Sequence, residues 1–127
     1  MSETALTDAF IYDGIRTPFG RHAGALAPVR PDDLLAHVIR TVVEKNDFPK
    51  EAFEDVIAGN TNQAGEDCRN VARFASLLAG MPVEVGGLTV NRLCASGLAA
   101  TLHAANSVKI REGELFVAGG VESMSRA

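Results

Sequence analysis

What this chain of 127 residues lacks narrows its function before any motif is considered. Cysteine is scarce: only Cys68 and Cys94 occur, far apart and without Cys-x-x-Cys or Cys-x-x-His spacing, which disfavours a zinc site and provides no disulfide framework. The 12 Lys and Arg form no basic run and are outnumbered by 16 Asp and Glu, for a formal charge of -4, so no nucleic-acid or anionic-membrane surface is expected. No apolar stretch approaches the ~18 residues of a membrane span, and the opening MSETALTDAF carries acids where an export signal needs a basic stretch and an apolar run. The glycines show neither the GxGxxG nor the GxxxxGK(S/T) spacing of nucleotide loops. Reduced thiols, a cytoplasmic location, no membrane or nucleic-acid partner and no metal are the resulting expectations.

What is present is ordinary for a globular protein. The hydrophobic fraction of 46% and the charged fraction of 22% argue against disorder, and 13.4 kDa is the mass of one domain. Folded compactly, such a chain exposes about 6,500 of the roughly 19,000 Å² of its extended form. It contains no internal repeat or low-complexity segment.

Short apolar runs alternate with helical periodicity. Phe10 to Ile15 reads as a strand that stops near Arg16, Thr17 and Pro18. From Pro31, apolar positions Leu34, Leu35, Val38, Ile39, Val42 and Val43 recur at helix spacing, with Asp32 and Asp33 where the helix dipole favours anions. Glu54 to Gly59 reads as a strand and Asn60 to Asp67 as a polar loop. Val71, Ala72, Ala75, Leu78 and Ala79 mark a second helix that ends at Gly80 and Pro82. Leu88 to Leu93 reads as a third strand, Ala95 to about Arg111 as an alanine-rich and deeply buried helix, and Leu115 to Ala118 as a fourth strand before a glycine-rich loop. This alternation predicts an α/β protein of three layers around a mainly parallel sheet. Ligands in such sheets collect beyond the carboxyl ends of the strands, which selects the segments after Ile15, Gly59, Leu93 and Ala118.

Within Asn91–Arg92–Leu93–Cys94–Ala95–Ser96–Gly97, a cysteine stands where a strand turns directly into a helix. Unpaired amides and the positive dipole end favour a thiolate there and could hold an oxyanion, while the competing reading is a small buried hydrophobe. A nucleophilic cysteine needs a proton acceptor, and His22, His37 and His103 are poor candidates. His103 lies nine residues along the same predicted helix, about 13.5 Å up its axis and on the opposite face. Cys68, at the start of the second predicted helix among Glu66, Asp67 and Arg69, reads as incidental, and Gly119–Gly120 is explained equally well by tight packing.

The segments NRLCASG and GGVESMSRA, with FIYDGIRTPFGRHAGAL and NTNQAGEDCRNVARFASLLAG, together closely resemble the amino-terminal half of thiolases, the middle stretch most of all the branch acting on 3-oxoadipyl-CoA, with acetyl-CoA acetyltransferases and general 3-ketoacyl-CoA thiolases also similar. The resemblance implies that Cys94 is the catalytic nucleophile, that coenzyme A enters as a substrate with no permanently bound cofactor, and that acyl-CoA and CoA are the partners of a dimer or tetramer. It also implies that residues 1–127 form part of that half, lacking its end, the CoA-binding loop region and the carboxyl half with the activating His, second Cys and Asn. Such a portion is expected to be inactive alone and to expose unpaired strand edges and apolar helix faces. The alternatives are a non-catalytic assembly fragment that pairs with a longer subunit and, less well matched around Cys94, a relative of the ketoacyl synthases.

Overall fold

A computed structural model describes residues 5–62 and 65–127. Gln63 and Ala64, inside the polar loop expected over Asn60 to Asp67, lie outside the described residues, as do the first four of the opening segment. The chain runs through helix α1 (Pro31–Glu44), strand β1 (Asp55–Gly59), helix α2 (Val71–Leu78), strand β2 (Gly86–Val90), helix α3 (Ser96–Lys109) and strand β3 (Phe116–Gly120), with short 3-10 turns between. The strands form one parallel sheet in the order β2-β1-β3.

Local chemistry explains the helices. Pro31 supplies a preset φ in the first turn of α1, and the buried Asp32 carboxylate accepts the Asp33 amide and a paired contact from the Arg30 guanidinium. Leu35, Ala36, Ile39 and Val43 then line its buried face. Asn70 caps α2 by accepting from the Arg73 amide at 3.2 Å, and Gly80, at φ +80°, ends it with Gly80 N and Met81 N donating to Leu77 and Ser76 carbonyls.

Alternation along the central strand then divides the core. Val56 and Ala58 face the cluster built with α1 and α2, which pack against each other on one side of the sheet. Ile57 faces Ala100 and Ala104 of α3 on the other. β1 is therefore buried on both faces, as its unbroken apolar run requires in a parallel sheet. The α/β class, the three layers and the parallel sheet agree with the sequence reading.

Three expectations are corrected. Phe10 to Ile15 is no strand: it runs as irregular chain with Phe10 and Ile11 each 86% exposed. An apolar run becomes a strand only when a hydrogen-bonding edge lies in reach, and between residues 5 and 20 the backbone makes one backbone bond, Thr7 N to Lys109 O. The segment is instead pinned at Tyr12, edge-on to Phe48, and at Asp13, held by Asn46 and Lys45. It stands off from β3 across a cavity of about 760 Å³ lined by Val38, Val42, Val117, Ala105 and Val108, so the outer edge of β3 has no strand beside it. Second, α3 is not deeply buried: Ser96, Ala100, Ala104 and Ser107 sit against the sheet, while Leu98 and Leu102 are exposed. Third, the strand expected over Leu88–Leu93 occupies Gly86–Val90, and Gly119 and Gly120 finish β3 instead of opening a loop.

The surface measures the consequence. The chain exposes 8107 Å², an excess of roughly 1,600 Å² over the value for a compact protein of this mass. Phe10, Ile11, Tyr12 and Phe19 of the opening segment and Leu98 and Leu102 of α3 are among the large apolar side chains left exposed.

Candidate active site

The carboxyl ends of the three strands are drawn together by backbone and amide bonds. Asn60 N donates to Val90 O and Val121 N to Gly59 O, both at 3.0 Å, while the Asn60 side chain donates to Val121 O at 2.7 Å. Glu122, just past β3, accepts from the amides of Thr61 and Asn62 at 2.9 and 3.1 Å and from the Asn62 side chain at 2.9 Å. The loop after β1 is thereby fixed to the loop after β3. Thr61 in turn donates its hydroxyl to Leu93 O and accepts from the Asn91 side chain, each at 3.4 Å, so both loops reach the turn after β2.

That turn carries Cys94. Arg92 to Ala95 fold back tightly, with Ala95 N and Ser96 N donating to the carbonyls of Arg92 and Leu93. Leu93 adopts φ +51°. Ala95 is the N-cap of α3 and offers no side-chain cap. Among the described residues, the amides of Cys94, Gly97 and Leu98 are left without a protein acceptor. Cys94 is exposed and its sulfur is free, so the packed-hydrophobe reading of this residue is not what the structure displays.

Glycine permits the approach that sets this geometry. A Cβ at Gly59 would overlap the Ser96 carbonyl carbon and the Gly97 nitrogen, so the first turn of α3 rests directly on the end of β1. A Cβ at Gly120 would come within 3.0 Å of Gly59 O, which accounts for that glycine by packing rather than by a phosphate.

The other nominated residues fall elsewhere. His37 and His103 are exposed on α1 and α3; burial raises the Asp55 carboxyl at the opposite end of the sheet, and the Val56 amide and the nearby His103 offset that only in part. His22 is exposed in the loop that meets the β3 end, where Ala23 N donates to Ser125 Oγ at 2.8 Å. No hydrogen bond joins Cys94 to a histidine among the described residues. Cys68 is exposed at φ +51° and precedes α2 rather than starting it. Nearby, Glu66 binds Arg126 at 2.6 Å and Arg30 at 3.4 Å, which hold its carboxyl below the usual range, while burial pushes Asp67 up. Sequence reasoning missed Glu122 as an organiser of the site: an acid after two glycines carries no periodic or motif signal, and only the fold brings it to the Thr61 and Asn62 amides. Among the described residues no group of three His, Cys, Asp or Glu is placed to hold a metal, and no helix is long and apolar enough to cross a membrane.

Comparison with known proteins shows what the chain as a whole is similar to. The family described as "Thiolase, N-terminal domain" matches residues 9–127. A 3-oxoadipyl-CoA/3-oxo-5,6-dehydrosuberyl-CoA thiolase of Escherichia coli strain K12 is 57% identical over 123 residues, covering 96% of this chain and 31% of the relative. A beta-ketoadipyl-CoA thiolase of Acinetobacter baylyi is 58% identical over 120 residues, covering 94% of this chain and 30% of that protein. The crystal structure of the Bacillus anthracis acetyl-CoA acetyltransferase superposes with a TM-score of 0.90 at 36% identity, over 97% of this chain and 31% of that one. The chain thus spans about a third of the length of the proteins it matches.

Proposed function

Because the chain belongs to the thiolase family through its amino-terminal domain, we propose that it is the nucleophile-bearing portion of a 3-ketoacyl-CoA thiolase, with Cys94 as the acyl carrier. The observation that carries the reading is an exposed, free thiol on a turn whose own amide and the next two unbonded amides, Gly97 and Leu98, face no protein acceptor. In the proposed step the Cys94 thiolate attacks the 3-keto carbon and the bond between carbons 2 and 3 breaks. Its electron pair passes to carbon 2, which takes a proton and leaves as acetyl-CoA. The thiolate of a second CoA then attacks the acyl-cysteine and releases the shortened acyl-CoA and Cys94. Run backwards, the same atoms make a carbon-carbon bond by Claisen condensation. Coenzyme A is a substrate in this scheme and no permanent cofactor is required.

The names of the relatives support 3-oxoadipyl-CoA as the substrate. The reading includes a cytoplasmic homo-oligomer, dimer or tetramer, in which residues 1–127 form a partial amino-terminal domain and the proton-transfer groups come from polypeptide beyond these residues. A second reading, a non-catalytic assembly piece, is favoured by the uncovered Phe10, Ile11, Leu98 and Leu102. Iodoacetamide labelling and thiolysis assays separate them. The first reading expects Cys94 to label several-fold faster than Cys68 and the chain alone to give no turnover of 3-oxoadipyl-CoA. Equal labelling of the two exposed thiols sinks the acyl-carrier role. Turnover matching a full-length thiolase sinks the claim that partner groups lie elsewhere.

A further inference from the structure

Leu93 stands immediately before Cys94 at φ +51°, a conformation unfavourable for a branched side chain. Packing does not impose it, since Leu93 is 68% exposed. Hydrogen bonds must hold it, and one side chain makes two of them. Ser96 Oγ accepts from Arg92 N at 2.8 Å and donates to Leu93 O at 2.6 Å, while Ser96 itself is 5% exposed. The capping position itself is Ala95, which has no side-chain oxygen to offer the first free amides of α3. The amides of Gly97 and Leu98 therefore stay open, while the Ser96 hydroxyl turns back to Arg92 and Leu93.

We infer that Ser96 is the positioning residue of the Cys94 turn: its buried hydroxyl bridges Arg92 and Leu93, holds Leu93 left-handed, and so aims Cys94 outward next to unbonded amides. Cys94 makes no hydrogen bond of its own that could fix its direction, so its aim is decided by the residues that flank it. Asn91 Oδ1, accepting Leu93 N at 2.9 Å, assists from an exposed side chain. Without the hydroxyl, Arg92 N loses its acceptor and Leu93 is free to relax to negative φ, which swings Cys94 away. The inference rests on the reading of Cys94 as acyl carrier, and it makes a separable claim about the turn.

The test is a double-mutant cycle in the 127-residue chain, with Ser96→Ala, Leu93→Gly and the pair. Glycine adopts positive φ without penalty, and Leu93 has little packing to lose. The readouts are the iodoacetamide rate of Cys94 relative to Cys68 in the same molecule and the melting temperature. Ser96→Ala is expected to lower the Cys94 to Cys68 ratio at least about threefold, and less than about 1.5-fold in the Leu93→Gly background. No loss in Ser96→Ala, or the same fractional loss in both backgrounds, overturns the inference. If Ser96→Ala does not fold, recovery of a melting transition in the pair supports it and absence of recovery overturns it. A ratio near one in the parent chain sinks the acyl-carrier reading instead, and the coupling in melting temperature then decides the claim about the turn.

Discussion

Replacing Gly59 by alanine puts one methyl group where the fold has no room for it. The added Cβ overlaps backbone atoms of Ser96 and Gly97, not the end of a side chain that could rotate away. Relief requires α3 to lift from β1, and that loosens the contact of Ile57 with Ala100 and Ala104. Overpacking costs about 1–3 kcal/mol where side chains can adjust, so a backbone clash belongs at the upper end, about 3 kcal/mol. A domain has roughly 5–15 kcal/mol in total, so this is a large share. At about 3–5 °C per kcal/mol for a chain of this size, the melting temperature should fall by roughly 10–15 °C. Thermal unfolding followed by circular dichroism measures it, with Gly119→Ala as the control because a Cβ there meets nothing within 4 Å. The control should change stability by less than about 0.5 kcal/mol. A Gly59→Ala protein that melts within about 2 °C of its parent, or a control equally damaged, would refute the claim that direct contact between β1 and the start of α3 sets the site.

Three further substitutions, at Asn70 and Asp67, test how the layers are tied and how buried acids behave. Asn70 caps α2, accepts from Thr89 Oγ1 at 2.7 Å and donates to Gly87 O at 3.0 Å, so Asn70→Ala should cost about 2–3 kcal/mol in urea unfolding. Asn70→Asp, which keeps the acceptor and loses the donor to Gly87, should recover part of that loss. Burial raises the Asp67 carboxyl, so its contribution to stability is fully present below the ordinary carboxyl value and is lost as pH rises through the raised value. Asp67→Asn should therefore raise the melting temperature at neutral pH and change it little near about pH 3.5, and a benefit independent of pH would contradict this sign. Asp13 has the opposite sign: its bonds to Asn46, the Gly14 amide and Lys45 lower it to about 2, so the anchoring of the opening segment is lost only as pH falls toward that value.

The sequence alone determined the elements whose signals are local. Pro31 with Asp32 and Asp33, the end of the second helix at Gly80 and the apolar run before Gly59 each encode a start, a stop or a buried strand within a few residues, and they appear where they were expected; the Asn70 cap was not read from the sequence and comes from the structure. Cys94 was legible as a candidate because a cysteine between a strand pattern and an alanine-rich helix is itself a local pattern. Tertiary structure decided what depends on distant partners. Phe10–Ile15 has the composition of a strand, but pairing needs an edge, and across the cavity beside β3 none is in reach. The alanines of α3 announced close packing, yet which face would be covered depended on the sheet beneath it and left Leu98 and Leu102 outside. Glu122 gained its partners only when the strand ends met, because a hydrogen bond between residues as far apart as Thr61 and Glu122 leaves no trace in either neighbourhood, whereas Ser96 bonds residues three and four positions before it and needed only the folded turn after β2 to direct its hydroxyl backwards.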